Sequence, residues 1–345
     1  MEEVVYMHSS EIYDVTIIGG GPTGMFAAFY AGIRELKVKI IETLPVLGGQ
    51  VEIMYPEKKI YDVGAFPYIK GADLIKQLHK QMEPFEQTIC LEENVLTLDK
   101  EDDYFIIKTD KGTHYSKTIL IATGQGSFEP RKLTFDYPEQ YEQTNLHYYV
   151  SQLDSYKDKT VVITGGGDSA VDWALTLENI AKKVYIVHRR DKFRAVEAAV
   201  TRLKSSSVEI LTPYVPHKLL GDNEKIHSVV FKKRRGEEII KLPVDYFIVN
   251  YGFSSLNKQL NDWGLETEHN SLVVSQRMET NIPGIYAAGD VTTFDGKVKL
   301  IVTGFGEAPT AINSIIQYLN PGEIIEAPTT GDDYGTETFK AYQED

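Results

Sequence analysis

Residues 13–24 have the sequence YDVTIIGGGPTG, and this stretch decides the fold. The β-branched apolar run at 13–18 predicts a buried strand, the three glycines predict a tight turn, and the apolar pattern through Ala31 predicts a helix. A second apolar run, KVKII at 37–41, predicts another buried strand that ends at Glu42. The first part of the chain is therefore predicted to form a βαβ unit.

The same succession of segments occurs a second time. The predicted elements of this copy are a strand at 160–164 (TVVIT), a turn at 165–167 (GGG), a helix at about 169–181 and a strand at 184–187. Each copy is followed by a region with hairpin character, the first at 84–122 with strands at 92–99, 104–109 and 114–122, the second at 208–250. A third strand and glycine-acid turn, GIYAAGD at 284–290, precedes a helix predicted near 307–319.

Composition restricts the class of protein. A chain of 345 residues is long enough for about two domains, and 42% apolar and 25% charged residues are usual for a folded protein. The single cysteine, Cys90, excludes an internal disulfide and a C-x-x-C redox pair, and we expect no metal site. The net charge of -14 argues against nucleic-acid or anionic-membrane partners. The acidic N-terminus and the lack of a long apolar run predict a cytoplasmic location.

The first glycine turn fits a dinucleotide-binding motif, Gly19-x-Gly21-x-x-Gly24. Its glycines allow a tight turn and a close approach of the backbone to a pyrophosphate, with a helix N-terminus facing the anion. Glu42 lies 18 residues beyond Gly24, where a carboxylate accepts hydrogen bonds from the hydroxyls of an adenosine ribose. The alternative is a structural glycine turn with a surface glutamate.

The second turn, GGGDSA at 165–170, has the same spacing with different chemistry. His188 lies 18 residues beyond Ala170, at the position that Glu42 has in the first copy. The basic residues here are His188, Arg189, Arg190 and, slightly later, Arg194. Because guanidinium groups attract a 2′-phosphate, the second nucleotide is predicted to be NADPH rather than NADH. The alternative is a solvated basic face.

Six motifs carry a family resemblance over nearly the whole chain. They are GGGPTG (19–24), LGGQ (47–50), ATG (122–124), GGGDSAVDWA (165–174), HRR (188–190) and GIYAAGD (284–290). In these motifs the chain resembles the thioredoxin-reductase-like ferredoxin/flavodoxin–NADP reductases, which are flavoproteins with two dinucleotide-binding domains.

The fold class is predicted as α/β, with two Rossmann-like, three-layer domains of which the second is inserted in the first. The resemblance assigns FAD to the first domain (1–123 and 254–345) and NADPH to the second (124–253), with boundaries near Gly124 and Gly252.

The resemblance also implies individual site residues. For FAD they are Gly19, Gly21, Thr23, Gly24, Glu42, Gln50, Tyr55, Val95, Phe128, Asp290 and Thr330. Within this set the implied roles are Gln50 and Tyr55 beside the isoalloxazine, Phe128 near the flavin, Val95 on the adenine and Asp290 on the ribityl chain. For NADPH the implied residues are Gly165, Gly167, Asp168, Ser169, His188, Arg189, Arg190 and Arg194. No side chain is expected to act as a catalytic acid or base, because flavin N5 is the reactive centre.

The chain also departs from related groups. Thioredoxin reductases carry a C-x-x-C before the second glycine turn, whereas residues 144–150 here are TNLHYYV. A related group of disulfide reductases has a cysteine where this chain has Thr23. Cys90 is predicted to be a buried small apolar residue. The family's C-terminal histidine is missing from APTTGDDYGTETF, so the position is left to Thr329 or Tyr334, and Thr330 keeps the hydroxyl.

These observations predict an NADPH-dependent FAD enzyme that passes electrons through flavin N5 to a one-electron carrier, ferredoxin or flavodoxin, or in the reverse direction. Two alternatives stay open: a non-catalytic FAD/NADPH-binding sensor module, and a diaphorase or quinone reductase. A homodimer is expected. The helix expected to start near Gly306 would point its positive end at the flavin. Candidate basic clusters for docking an acidic carrier are Lys182-Lys183 and residues 232–235 (KKRR).

Overall fold

The computed structural model describes residues 11–150, 152–256 and 258–322, and in 127–129, 253–256 and 258–259 the backbone alone. The chain forms two compact units, one made of the residues up to Ser127 and from Ser255 onward, the other of Phe128–Ser254. Each unit has its own buried apolar core.

The first unit is an α/β layer structure. Its elements before the insertion are β1 (Ile12–Ile18), α1 (Pro22–Ile33), β2 (Val38–Ile41), α2 (Gly49–Met54), β3 (Lys59–Ile60), β4 (Ile69–Lys70), α3 (Gly71–Met82), β5 (Gln87–Cys90), β6 (Val95–Lys100), β7 (Phe105–Thr109) and β8 (Thr113–Ile121). Strand β9 (Ser127–Pro130) begins at the last residue of the first unit and continues into the second.

The main sheet of this unit has the strand order β5-β2-β1-β8-β7-β6. Strands β2 and β8 both run parallel to β1, whereas β6, β7 and β8 form an antiparallel meander. The strand–glycine–helix–strand unit predicted at residues 13–41 is confirmed, and so is the hairpin region. Val15 and Ile17 of β1 are fully buried, since helices cover a parallel sheet on its faces.

The second unit repeats this plan. Its elements are α4 (Gln140–Thr144), β10 (Leu146–His147), a short 3₁₀ helix (Leu153–Tyr156), β11 (Thr160–Gly165), α5 (Asp168–Leu177), β12 (Lys183–Val187), α6 (Glu197–Lys204), β13 (Glu209–Leu211), β14 (Tyr214–Gly221), β15 (Ile226–Lys233), β16 (Ile239–Pro243), β17 (Tyr246–Asn250) and β18 (Phe253–Leu256). A parallel sheet has the order β10-β17-β11-β12-β13, and β14-β15-β16 form an antiparallel sheet. The predicted α/β class with a second Rossmann-like unit inserted in the first is confirmed.

The chain then returns to the first unit. The remaining elements are α7 (Lys258–Asp262), β19 (Thr267–Glu268), β20 (Ser271–Val273), β21 (Ile285–Ala287), β22 (Thr292–Thr293) and α8 (Ile301–Leu319). Strand β21 joins the main sheet parallel to β8.

The start of α8 corrects the sequence prediction, which placed it near Gly306. The helix begins at Ile301 and includes Pro309 in its interior. Proline is favoured in the first turn of a helix, and Gly304 and Gly306 precede Pro309. The sequence pattern therefore favoured a later start of the helix. Packing of α8 against the core outweighs that preference, since Ala308, Ala311 and Ile312 are fully buried. In the described ranges, no helix combines the length and the apolar character needed to span a membrane.

Candidate functional site

Four strand ends define one edge of the first sheet. Strands β1, β2, β8 and β21 run parallel, so their carboxyl ends lie together. The residues that follow these strands are Gly19, Glu42, Ala122 with Thr123, and Gly289 with Asp290. In open parallel sheets, ligands bind outside this edge. We call these residues the first edge.

Glu42 holds the centre of the first edge. Its Oε2 accepts a hydrogen bond from the Gly20 N–H at 2.6 Å, and its Oε1 accepts one from the Leu44 N–H at 2.9 Å. The residue is only 7% exposed, and burial raises the pKa of its carboxyl group while these hydrogen bonds oppose the shift. Each carboxylate oxygen retains a lone pair, so Glu42 is able to accept hydrogen bonds from two ligand hydroxyls.

The glycine turn above Glu42 is built for close approach. Gly19 has φ +107°, and a Cβ there would lie 2.5 Å from the carbonyl oxygen of Ala122. A Cβ on Gly21, in contrast, would meet nothing nearer than the Cα of Gly49 at 4.0 Å. The turn is thus closed towards the sheet and open on its outer side. The buried Thr123 Oγ1 has no hydrogen-bond partner within the described residues.

Helix α2 brings two more predicted FAD residues to this unit. Gln50 lies in its first turn, with Nε2 3.8 Å from where a Cβ of Gly124 would be. Tyr55 follows the last residue of α2, and the Lys58 Nζ lies 5.5 Å from its ring centre. The half-buried ring of Tyr55 thus has a cation at one side. The Gln50 amide therefore lies beside the turn that follows β8.

Thr23 lies at the contact between α1 and the last segment of the unit. Its Oγ1 would be 2.8 Å from a Cβ on Gly289 and 2.3 Å from one on Gly304. Thr23 therefore needs both glycines, and it packs the start of α1 against the glycine-acid turn. Asp290 directly follows that turn and is half-buried. Gly24 packs similarly, because its Cβ would meet the Gly19 carbonyl oxygen at 2.0 Å.

Sequence reasoning missed a buried ion pair beside Asp290. Lys297 and Glu307 form a salt bridge, and their side chains are 4% and 7% exposed. The other carboxylate oxygen of Glu307 accepts a hydrogen bond from the Gly289 N–H at 2.7 Å. Glu307 therefore holds the turn that carries Asp290. The available signal was a lone glutamate in the otherwise apolar and small-residue sequence of α8.

A relay of polar side chains lies behind the first edge. Lys39 Nζ is 2.9 Å from His114 Nδ1, and His114 Nε2 is 2.6 Å from Glu93 Oε1, which also accepts from the Thr109 hydroxyl. The sulfur of Cys90 lies within 4.8 Å of the Glu93 and His114 ligand atoms. Burial raises the pKa of the Cys90 thiol and lowers the pKa of the Lys39 ammonium group. Both ring nitrogens of His114 are engaged, so the group forms a continuous hydrogen-bonded chain.

Cys90 and Val95 lie at the two ends of the segment that follows strand β5. Cys90 is half-buried and packs against the core rather than lying fully inside it. Val95, the predicted adenine contact, is 3% exposed and is part of the same core. The Glu42 N–H donates to the Cys90 carbonyl, and the Glu93 N–H donates to the Glu42 carbonyl. The segment that leads to Val95 is therefore fixed directly to the first edge.

A second edge lies at the carboxyl ends of β11, β12 and β17. Strands β11 and β17 end at Gly165 and Asn250, and His188 directly follows the last residue of β12. A Cβ on Gly166 would lie 2.2 Å from the His188 ring, and that ring stacks on Phe193 at 5.3 Å between centres. His188 covers the middle glycine of the turn, as Glu42 does in the first unit.

Two polar atoms at the second edge lack a partner. His188 Nε2 and Asn250 Oδ1 are buried, and neither has a hydrogen-bond partner among the described residues. Burial is the main cause that lowers the pKa of His188, and the cations of Arg189 and Arg190 lower it further. His188 is therefore neutral at pH 7. Buried polar atoms normally find partners, so these two indicate a ligand-binding edge.

The predicted arginines follow His188 directly. Arg189 and Arg194 are exposed, and Arg190 is half-buried. No ion pair joins these three arginines to a carboxylate in the described ranges. The Arg194 N–H donates to the Gly166 carbonyl oxygen at 2.7 Å, which fixes the loop against the glycine turn.

The start of α5 holds the same loop. Asp168 Oδ1 accepts a hydrogen bond from the Val196 N–H at 2.9 Å. Gly167, Asp168 and Ser169 form the N-terminus of α5, where backbone N–H groups face outward. The structure thus brings the predicted NADPH residues together at one edge of the second unit.

Some predicted residues cannot be described. Thr330, Thr329 and Tyr334 lie outside the described residues, and Phe128 lies in β9 with its side chain outside them. The basic clusters are partly neutralised: Lys183 pairs with Glu209 at 2.8 Å. In the second cluster, Lys232 and Lys233 pair with neighbouring glutamates. Neighbouring carboxylates thus offset part of the charge of both candidate docking clusters.

Comparison with known proteins agrees with this geometry. Residues 13–313 match the family model described as pyridine nucleotide-disulphide oxidoreductase. A protein of Halalkalibacterium halodurans named ferredoxin–NADP reductase is 57% identical over 312 residues, covering 90% of this chain and 94% of the relative. A Listeria monocytogenes protein named ferredoxin–NADP reductase 2 is 52% identical over 313 residues, covering 90% and 95%.

A solved structure gives the same result for the fold. Thioredoxin reductase of Lactococcus lactis superposes with a TM-score of 0.77 at 31% identity, covering 89% of this chain and 99% of that one. The resemblance seen in the sequence motifs is confirmed. With two βαβ units, two glycine-turn edges and a match over residues 13–313, the chain belongs to the pyridine nucleotide-disulphide oxidoreductase family.

Proposed function

We propose that the protein is an NADPH- and FAD-dependent ferredoxin–NADP reductase, which transfers electrons between NADPH and a one-electron carrier. Relatives that are 52–57% identical over 90% of the chain bear that name. Ferredoxin or flavodoxin is the proposed carrier. This chain has a single cysteine and therefore no dithiol of its own. Electron transfer through a dithiol within the chain is excluded.

The residues of the first edge fit FAD. Glu42 offers two acceptor oxygens to the adenosine ribose, and the open outer side of Gly21 leaves room for a pyrophosphate at the N-terminus of α1. The unpartnered Thr123 hydroxyl and the Gln50 amide lie at the neighbouring strand end. Asp290, held through the Gly289–Glu307 hydrogen bond, is positioned for a hydroxylated chain such as ribityl.

The residues of the second edge fit NADPH. Arg189, Arg190 and Arg194 have no carboxylate partner within the described residues, and they follow a neutral histidine at the position that Glu42 has in the first unit. A ribose 2′-phosphate neutralises such a cluster, whereas the 2′-hydroxyl of NADH does not. This difference between Glu42 and the arginine cluster is the observation that carries the assignment of the two nucleotides.

The protein's own residues contribute binding and orientation. FAD held at the first edge would supply the redox chemistry that links a two-electron donor to a one-electron carrier. The two edges hold the two nucleotides, and Glu307 keeps the turn at Asp290 in place. No side chain is assigned a proton-transfer step.

Spectroscopy of the purified holoprotein tests this proposal. Addition of NADPH without oxygen should bleach the flavin absorbance, and later addition of oxidised ferredoxin or flavodoxin should restore it. A flavin that NADPH leaves unchanged would instead support a nucleotide-binding sensor. Faster turnover with quinones than with either carrier would support a quinone reductase.

The assembly and location of the protein belong to the same proposal. We infer a homodimer from the family resemblance, and a reducing compartment such as the cytoplasm from the use of a single unpaired cysteine. Sedimentation of the holoprotein tests the first, with a dimer mass expected and a monomer mass contradicting it. The acidic net charge also argues against nucleic acid as a partner.

A further inference from the structure

The end of β15 and the turn that follows it carry four consecutive cations, which differ in their surroundings. Lys232 pairs with Glu237 at 3.2 Å, and Lys233 pairs with Glu238 at 2.7 Å. Arg234 and Arg235 are exposed, and neither forms an ion pair in the part of the chain that the structure describes. The two lysines are therefore offset within the hairpin itself, while the two arginines keep their charge available.

The backbone of Arg234 is tied to the second edge. Its N–H donates to the Pro213 carbonyl oxygen at 2.9 Å, and the next residue, Tyr214, donates its N–H to the His188 carbonyl oxygen at 3.0 Å. His188 in turn donates its N–H to the Leu211 carbonyl at 3.0 Å. Arg234 is thus linked to His188 by two hydrogen bonds and the peptide bond between Pro213 and Tyr214. His188 is the start of the arginine loop, by which we mean residues 188–194. The hairpin is fixed beside the loop by its main chain.

The charges of these two segments interact. Arg194 is the main cause that lowers the pKa of Arg190, and Arg189 and Arg234 lower it further. Arg234 is therefore the member of the turn that belongs to the cation cluster. Such a cluster without an anion is electrostatically unfavourable, and a phosphate dianion relieves the repulsion.

We propose that Arg234 is a fourth arginine for the 2′-phosphate of NADPH and a determinant of the preference for NADPH over NADH. The three arginines after β12 come from one loop, whereas Arg234 reaches the cluster from a separate sheet. The inference rests on the proposed function, because it needs NADPH at the second edge. Its chemistry is that of a guanidinium donating charge-assisted hydrogen bonds to phosphate oxygens.

Steady-state kinetics of the holoenzyme with NADPH and NADH test the inference. The quantity to follow is the ratio of kcat/KM for NADPH to that for NADH, with ferricyanide as acceptor. Arg234→Gln should lower this ratio about tenfold, the effect of one charge-assisted hydrogen bond, and the loss should lie in KM for NADPH. Arg234→Lys should recover part of the ratio. Arg235→Gln, which removes the neighbouring charge, is the matched control and should change the ratio less than about twofold.

The outcomes separate this inference from the function on which it rests. A wild-type enzyme without preference for NADPH would overturn both. A wild-type preference that Arg190→Gln lowers and Arg234→Gln leaves intact would overturn the role of Arg234 alone. Equal losses in Arg234→Gln and Arg235→Gln would also overturn it, since they would indicate a general charge effect. Circular dichroism of each variant checks that the hairpin change leaves the fold intact.

Discussion

The end of β2 and the end of β12 are the same place in two copies of one backbone unit. Glu42 and His188 each lie 18 residues beyond the last small residue of their glycine motif, and each covers the middle glycine of its turn. Glu42 accepts hydrogen bonds from the backbone around it, whereas His188 Nε2 has no hydrogen-bond partner in the described part of the chain, and arginines follow His188. One backbone frame therefore carries two different sets of side chains at the same strand end. We propose that this difference assigns FAD to the first edge and NADPH to the second.

Burial acts on both residues in the same direction, towards the neutral form. It raises the pKa of the Glu42 carboxyl group and lowers the pKa of the His188 imidazole. The backbone hydrogen bonds of Glu42 favour its charged form, whereas the arginines near His188 disfavour its charged form. The Glu42 carboxylate at the first edge thus suits the hydroxyls of a ribose. At the second edge the positive charge lies on the arginines, because His188 is neutral.

The largest expected effect concerns the buried ion pair that the first unit has beside its edge. Lys297→Met leaves the Glu307 carboxylate buried without a cation, so the free energy of unfolding should fall by about 3–5 kcal/mol. The double variant Lys297→Met/Glu307→Gln should recover part of this loss. Chemical denaturation of the holoprotein measures both.

The second unit supplies the control for this experiment. Lys183 and Glu209 form an ion pair with side chains 47% exposed, so Lys183→Met should leave the free energy of unfolding nearly unchanged. If Lys183→Met and Lys297→Met lower the free energy of unfolding equally, burial does not explain the stabilising effect of the Lys297–Glu307 pair.

A somewhat smaller effect is expected from exchange of the first edge residue. Glu42→Arg removes both acceptor oxygens for the ribose hydroxyls, and FAD binding should weaken about 100-fold, the sum of two hydrogen bonds of about 1.5 kcal/mol each. Glu42→Gln keeps the side-chain volume and one acceptor, so its loss should be smaller. The flavin-to-protein absorbance ratio after gel filtration measures retention. Glu101→Arg, an exposed change in the same unit, should retain FAD fully; full retention in Glu42→Arg would remove the assigned role.

The corresponding exchange at the second edge is Arg190→Gln. Loss of one charge-assisted contact should lower the preference for NADPH over NADH by about 10- to 100-fold. KM values for both nucleotides, measured with ferricyanide, give the result. Equal increases in both KM values would contradict a contact with the 2′-phosphate.

The smallest effect concerns pH. The pKa of His188 lies below its ordinary 6.5 in the folded protein, so the unfolded chain binds more protons and stability falls as the pH drops through 6.5. The slope reaches at most about 1.4 kcal/mol per pH unit for one group. For Glu42 the sign is opposite, because its raised pKa makes stability fall as the pH rises above 4.5.

Denaturation at several pH values in wild type and His188→Gln measures this contribution. As the pH is lowered from 6.5, the free energy of unfolding should fall less in His188→Gln than in wild type. An unchanged pH profile in His188→Gln would show that the histidine is not held neutral.

Sequence patterns were sufficient to predict the two glycine turns, the strands beside them and which residues follow those strands. These features depend on local conformation and on fixed spacing within a βαβ unit. The start of α8 was wrong because packing of Ala308 and Ala311 overrides the local preference of Pro309.

Other features depend on which distant segments meet in the fold. The Lys297–Glu307 pair and the Lys39–His114–Glu93 relay join residues whose partners no periodicity identifies. The basic run at 232–235 looked uniform in sequence, but the hairpin pairs its lysines and ties Arg234 to Pro213. Such side-chain partners follow from tertiary structure rather than from composition.

Calorimetric binding of 2′,5′-ADP and 5′-AMP to the FAD-loaded protein tests directly how the two nucleotides are divided between the two edges. The two ligands differ only in the 2′-phosphate, and the arginine cluster should bind 2′,5′-ADP about 100-fold more tightly while FAD stays bound. Equal affinity for the two ligands, or displacement of FAD by 2′,5′-ADP, would contradict the division of the two nucleotides between Glu42 and the His188 arginine loop.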